Sequence, residues 1–283
     1  MFKILRKEVL SPQINLMDIE APLVAQKAQP GQFIILRIHE NGERIPLTIA
    51  DFDREKGTIT IVFQEVGKTT EELSKLKAGD SIIDFVGPLG KPSEHGIREK
   101  GKVICVAGGV GTAVIFPELR NIKQHGNYTI TIQGSRSKDL LFWTDKMKEF
   151  SDEFYITTDD GTFGRKGFVT DQLEDILKKQ AKDISYVIAI GPVSMMKFVG
   201  KVTEKYGVKT YVSLNTVMVD GTGMCGSCRI SVGGKTMFAC VDGPEFDAHQ
   251  VDWDEMCARN SRFIPQEKES LEKYRNKKTC CNH

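Results

Sequence analysis

The sequence predicts a multidomain β and α/β protein: an antiparallel β-barrel, then a doubly wound parallel α/β domain, then a small cysteine-bearing segment towards the carboxy end. Three observations carry this. Short alternating or apolar runs separated by Gly, Pro and Asp fill the chain to about residue 95. From Lys102 the rhythm changes to apolar strand, glycine turn and amphipathic helix. After Val208 long helical patterns cease, and three cysteines crowd into one glycine-rich stretch.

Taken in order, the barrel strands are read in FKILRKEVL, INLMDIEAP, GQFIILRIHE, IPLTIADFD, GTITIVFQEVG and DSIIDFVGPLG. TTEELSKLKAGD interrupts them as a helix, with Leu73 and Leu76 one turn apart and Gly79 as its stop. The second unit begins with KVICVAGGVGTAVIFPEL and continues through YTITIQGSRS, FYITTDDG, FVTDQLEDILKKQ and YVIAIGPVSMMKFVGKVTEKYG. A chain of 283 residues exceeds one small core, and these patterns divide it at 1–98, 99–210 and 211–262, with a charged tail over 263–283 read as a solvated helix or frayed end.

Composition excludes several function classes. Lys and Arg number 39 against 38 Asp and Glu, so the +1 net charge gives no field to draw the whole protein onto nucleic acid or a membrane surface. No apolar run approaches the roughly 20 residues of a membrane helix. MFKILRKEVL returns to charge before a signal-peptide core can form, which predicts a cytoplasmic, reducing location. Seven cysteines are an odd number, and in that compartment they point to metal or redox chemistry rather than to disulfides.

An apolar strand over 103–107 runs into Gly108, Gly109, Gly111 and Thr112, so that backbone N–H groups and a helix N-terminus can face a pyrophosphate. A merely tight strand-to-helix turn is the alternative. Later strands end in Gly134-Ser135-Arg136, Asp159-Asp160-Gly161 and Gly191-Pro192, and ligands of open parallel sheets gather at such carboxyl ends. In the barrel, Arg44-Ile45-Pro46-Leu47-Thr48 places a guanidinium and a hydroxyl on one face of an extended strand. They form either a solvated edge pair or a phosphate contact and a ring contact. Gly67-Lys68-Thr69-Thr70 opens the predicted helix and offers a second phosphate contact.

The sharpest motif is Asp220-x4-Cys225-x2-Cys228-x11-Cys240, a plant-type iron–sulfur spacing with Asp in the first place. Gly221, Gly223 and Gly226 let the loop fold closely around an inorganic core and aim N–H groups at its sulfides. A structural zinc site with three Cys and one Asp, or unligated thiols, are the alternatives. Cys105 and Cys257 are assigned to buried positions, and Cys280, Cys281 and His283 to an end without fixed geometry.

This order of pieces resembles the ferredoxin-NADP reductase superfamily, and two of its branches have it: the electron-transfer subunit of dihydroorotate dehydrogenase, and the small subunit of NADH-dependent reduced ferredoxin:NADP oxidoreductase. The second is similar in its Asp ligand and in GPEFDAHQVDWDEMCARN. The resemblance implies a flavin-binding barrel, with FAD held by Arg44, Pro46, Leu47, Thr48 and Gly67 to Thr70. Leu47 stands where the superfamily more often has a stacking Tyr. It implies NAD(H) at the GGVGTA, GSR, DDGTFG and GPVSMM loops, with Arg136 or Arg165 able to reach the extra phosphate of NADP(H). A 2Fe-2S cluster would sit on Asp220, Cys225, Cys228 and Cys240, and Thr48 would contact the flavin reaction centre. The implied partner is a larger subunit with another FAD and further iron–sulfur clusters, through which ferredoxin and NADP are reached and electrons bifurcate. A dihydroorotate dehydrogenase relay and a zinc-stabilised binding module are the competing readings.

Overall fold

The computed structural model describes residues 1–280. Its first sheet is built from β1 (Phe2–Ser11), β2 (Ile14–Glu20), β3 (Phe33–Arg37), β4 (Ile45–Asp53), β5 (Thr58–Gln64), β6 (Ser81–Ile82) and β7 (Asp84–Leu89). They run in the order β6-β1-β2-β5-β4-β3-β7, with every pair antiparallel. The two edge strands β6 and β7 are separated in sequence by Ile83 alone, so the sheet curls until its ends meet as the predicted barrel. Its interior is apolar, with Ile4, Met17, Ile34, Ile59 and Phe63 at or near zero exposure. Helix α1 (Pro22–Lys27) follows β2, and α2 (Lys68–Leu73) lies where the Leu73–Leu76 spacing placed a helix. The reversal after it is Gly79, at φ +100°, a backbone state that favours glycine.

The second sheet alternates β8 (Lys102–Gly108), α3 (Gly111–Gln124), β9 (Tyr128–Ser135), α4 (Thr144–Glu149), β10 (Glu153–Thr158), β11 (Arg165–Lys166), α5 (Val169–Gln180), β12 (Ile184–Ile190), α6 (Val193–Lys205) and β13 (Thr210–Ser213). Strand order is β11-β10-β9-β8-β12-β13, parallel throughout, and the chain reverses its direction of winding between β8 and β12. Ligands of such sheets bind outside the carboxyl ends at that switch point. Val103, Cys105 and Ile188 pack under α3 and α4, while Ile104, Val106 and Val187 pack under α5 and α6. Cys105 is core, as predicted.

The cysteine segment is not a separate ball. After a loop, the hairpin β14 (Arg229–Val232) and β15 (Lys235–Phe238) leads into α7 (Ala239–Asp242) and β16 (Glu245–Asp247), which returns antiparallel to β13 and completes the second sheet. Cys228, Ile230, Cys240 and Phe246 belong to the same buried cluster as Val187, Val212 and the barrel residues Phe33 and Ile35. Helix α8 (Trp253–Asn260) then turns Met256 inward, which leaves the neighbouring Cys257, one helical step away, exposed. The expected burial of Cys257 is therefore corrected. The tail is helix α9 (Ile264–Cys280), and it rests on α2: Tyr274 Oη lies 3.0 Å from Lys75 Nζ, and Arg275 Nε donates to Glu71 at 2.9 Å. Cys281 and His283 lie outside the described residues. Among those described, no helix is long and apolar enough to cross a membrane.

Candidate functional site

A cleft of about 500 Å³ opens where barrel, second sheet and cysteine segment meet. One wall is barrel: Phe33, Pro46, Leu47 and Thr48, with Val66 and Thr70 beside the start of α2. The facing wall is Gly108 to Gly111 and Ile190 to Pro192, the two loops of the switch point. The back is Ser213 to Thr216, Met218 and Pro244. Its size and largely apolar lining suit a planar ring system with few polar contacts.

The glycines divide into two roles that the sequence did not separate. A Cβ on Gly111 would stand 2.2 Å from the Ile190 carbonyl oxygen, and one on Gly108 2.4 Å from Met195 Sδ, so these glycines let the two loops cross. Gly191 is equally confined, with a Cβ 2.7 Å from Met195. Gly109, at φ +54° with nothing within 4 Å of an added Cβ, is the one in this loop that leaves open space for a ligand. Thr112 is buried and receives a long hydrogen bond, 3.4 Å, from Gln133 Nε2.

Pro46, Leu47, Thr48, Thr70, Gly108, Gly109, Gly111, Gly191 and Pro192 thus share one cleft. Other candidates stand outside its lining. Arg44 precedes the first residue of β4 and is exposed, so it is not the strand partner of Thr48 that the spacing suggested. Gly67 caps α2, its N–H donating to Thr70 Oγ1 at 3.1 Å. Glu43 takes the hydroxyl hydrogen of Thr69 at 2.5 Å and pairs with Lys68 at 3.8 Å. Gly134 lets β9 pack on α5, where a Cβ would meet Val169 at 2.3 Å. Arg136, Asp160 and Gly161 lie at the carboxyl ends of β9 and β10, further along the same sheet edge. Asp160 is held below the usual carboxylate range by the backbone N–H and hydroxyl of Thr162.

In the cysteine segment, Gly221, Gly223 and Gly226 all take positive φ, as a tightly wound loop requires. A Cβ on Gly221 would come within 2.7 Å of Ile35 and Leu89, so the loop is pressed against β3 and β7 of the barrel. Cys228 Sγ and Cys240 Sγ lie 3.2 Å apart and unbonded, while Cys225 is exposed. Asp220 accepts backbone N–H groups from Thr222, Met224 and Cys225 at 2.9 to 3.1 Å. Partial burial opposes its ionisation, but the N–H groups of Thr222 and Cys225 prevail and keep its carboxyl low. The Ser227 hydroxyl and N–H draw the Cys225 thiol down, whereas burial and then Cys228 push Cys240 up to about 12.

Among the described residues, no three acidic, thiol or imidazole groups yet converge closely enough to hold a metal ion. The donor set nonetheless fits one. Two thiolates on a tetrahedral ion with bonds of about 2.3 Å stand roughly 3.8 Å apart, so the Cys228–Cys240 pair needs to open by only about half an ångström. Cys225 sits exposed on the same loop, and its lowered thiol already favours the ligating form.

Sequence reasoning missed Phe33, Ser213 to Thr216 and Pro244. None carries a motif; Phe33 comes from barrel strand β3, and the β13–β16 return brings the others to the cleft.

Compared with known proteins, residues 1–93 match the oxidoreductase FAD-binding domain, and residues 215–252 match the iron–sulfur cluster binding domain of dihydroorotate dehydrogenase B. The second match spans all four candidate ligands and answers the zinc alternative. A Thermotoga maritima protein named as a homolog of the dihydroorotate dehydrogenase B (NAD(+)) electron transfer subunit is 47% identical over 96% of this chain and 95% of its own. The Fusobacterium nucleatum electron transfer subunit is 31% identical over 83% and 92%. A solved structure described as the NADH-dependent reduced ferredoxin-NADP oxidoreductase, in work on flavin-based electron bifurcation, superimposes with a TM-score of 0.90 at 46% identity, covering 97% of this chain and 98% of that one. Phthalate dioxygenase reductase, at 15% identity and TM-score 0.60, shares the fold. Barrel, switch-point cleft and cysteine segment together define a flavin and iron–sulfur oxidoreductase of the ferredoxin reductase type. The chain belongs to the family of dihydroorotate dehydrogenase B electron transfer subunits and their homologues.

Proposed function

We propose that this chain passes electrons between NAD(H), FAD and a 2Fe-2S cluster as the smaller subunit of an NADH-dependent reduced ferredoxin:NADP oxidoreductase. The observation that carries the reading is the near full-length likeness, at 46% identity, to the protein solved under that description. Asp220 in the first ligand place supports it over a dihydroorotate dehydrogenase relay, the second reading, which the names of several relatives favour. Residues 1–98 would carry FAD, 99–210 NAD(H) and 211–262 the cluster. The partner would be a larger subunit with its own FAD and iron–sulfur clusters, through which ferredoxin and NADP are reached, in the cytoplasm.

FAD, when bound, exchanges a hydride with nicotinamide and single electrons with an iron–sulfur centre. The chain's contribution is placement. Pro46, Leu47 and Thr48 would support the flavin ring from the barrel side, with Leu47 offering an apolar contact at the position where the superfamily more often has a Tyr. Gly109 leaves room for the nicotinamide on the other side, and hydride transfer needs ring stacking more than it needs an acid or base. Arg44 and Lys68 would neutralise the flavin pyrophosphate from the surface. Arg136 and Asp160 would border the nucleotide's far end. Asp220, Cys225, Cys228 and Cys240 would hold the cluster, and the pressing of Gly221 onto β3 and β7 brings that loop to the flavin barrel.

Anaerobic purification with a visible spectrum and assays of flavin, iron and labile sulfide tests this. One FAD, two irons and two sulfides per chain are expected; a colourless protein, or one with zinc, overturns it. Mixing with candidate partners separates the two readings, since orotate formation with a catalytic dihydroorotate dehydrogenase subunit would favour the second.

A further inference from the structure

Behind the cleft lies a buried polar cluster that the proposed electron path does not use. Glu118, 1% exposed, stands on α3 two turns beyond Gly111, which lines the cleft. Against it is Glu245 of β16, whose neighbour Pro244 and register partner Ser213 also line the cleft. The two carboxyls act on each other closely, and each has a buried Oε1 with no donor among the described residues. Ionised carboxylates only accept, so with no donor to either buried oxygen a proton on one carboxyl satisfies the pair. Burial and then Glu245 raise the Glu118 carboxyl well above the usual range. Burial opposes ionisation of Glu245, but His95 and Glu118 hold it low.

Every element around the pair contributes a group. From the loop before β8, Ser93 Oγ donates to Glu118 at 3.4 Å, and His95 Nε2 lies 3.0 Å from Glu245 Oε2. The His95 ring packs on Tyr211 of β13 and Tyr186 of β12, with centroids 3.9 and 5.7 Å away. Cys105 of β8 faces Glu118. Glu99 accepts hydrogen bonds from Tyr211 at 3.1 Å and Lys209 at 2.6 Å at the outer end. The His95 and Glu245 side chains are 15% and 11% exposed, so the cluster reaches solvent at this end.

We propose that Glu118, Glu245 and His95 form a proton site that takes one proton from solvent when negative charge enters the cleft and returns it when that charge leaves. The proposal rests on the cleft being the flavin and nicotinamide site, because the charge is that of the hydride delivered by NADH. The proton is added to the Glu245 carboxylate beside His95, forming one O–H bond; no electron is exchanged there. Glu245 follows Pro244, which lines the cleft, and a unit charge at about 10 Å, at an effective dielectric constant of about 20, shifts a titration by about one pH unit.

Two measurements on the full chain test it. Carbon-13 NMR of the glutamate carboxyls, without FAD, should show one still protonated at neutral pH and absent from Glu118→Gln. With FAD bound, the flavin midpoint potential should follow pH more steeply in wild type than in Glu245→Gln, which has no carboxylate to take the proton. All carboxyls ionised at neutral pH, or a Glu245→Gln variant whose potential tracks pH as wild type does, would overturn the proposal. A chain that binds no flavin refutes the cleft assignment on which the proposal depends, whereas the NMR result fails only if the proton is not there. Should Glu118→Gln not fold, the wild-type carboxyl spectrum together with Glu245→Gln decides.

Discussion

Cys228 Sγ and Cys240 Sγ stand 3.2 Å apart, buried and with no disulfide between them, although eleven residues that include a β-hairpin separate them. Register in that hairpin, Arg229 opposite Phe238, sets the approach. Replacing either thiol by Ser should cut iron retention by at least about tenfold while leaving the flavin spectrum intact, since removing even an outer partner of a metal ligand costs that much. Iron assay and visible spectroscopy on the same sample check both halves.

Glycine substitutions should separate packing from strain. In Gly111→Ala the new methyl meets the Ile190 backbone, which cannot swing aside, and should destabilise by about 1–3 kcal/mol. Gly109→Ala meets nothing and bears only its positive φ, a cost of about 1–2 kcal/mol. Denaturant midpoints should rank Gly111→Ala below Gly109→Ala, while nucleotide affinity should fall in the second as well.

Stability should depend on pH through Glu118. Its carboxyl is raised above the ordinary 4.5, so the folded chain keeps a proton that the unfolded chain releases. That stabilisation is complete below about pH 4.5 and is lost as pH rises through the raised value. Thermal unfolding of the chain without cofactors should therefore show a Tm that falls towards alkaline pH, less steeply in Glu118→Gln. Equal slopes would remove Glu118 as the cause.

Helix α9 should support flavin binding through α2. The Arg275–Glu71 contact is partly exposed, and such pairs contribute about 0.2–1 kcal/mol. Arg275→Ala should weaken FAD binding by no more than about fivefold, as read by fluorescence titration, with the cluster unaffected.

Thr48 lines the cleft and is the candidate contact at the flavin reaction centre. Thr48→Ala should slow flavin reduction by NADH in stopped-flow by about tenfold, roughly 1.4 kcal/mol, and Thr48→Ser should restore most of it. Unchanged rates in both would assign Thr48 to packing alone.

The sequence by itself determined the succession of barrel, parallel sheet and cysteine segment, because strand alternation, helical spacing and glycine turns are local properties that each stretch carries unaided. It also determined the candidate ligand set, since Asp220, Cys225 and Cys228 lie within nine residues. Only tertiary structure decided which glycines cross loops and which face open space, a matter of what another loop places within 3 Å. It likewise decided that β16 returns to the second sheet, bringing Ser213, Pro244 and Glu245 to the cleft and its rear wall. Nothing local distinguishes Glu118 from a solvated helix carboxylate. Its raised carboxyl comes from burial and then from Glu245, 127 residues away in sequence, and burial is a property of the packed chain alone.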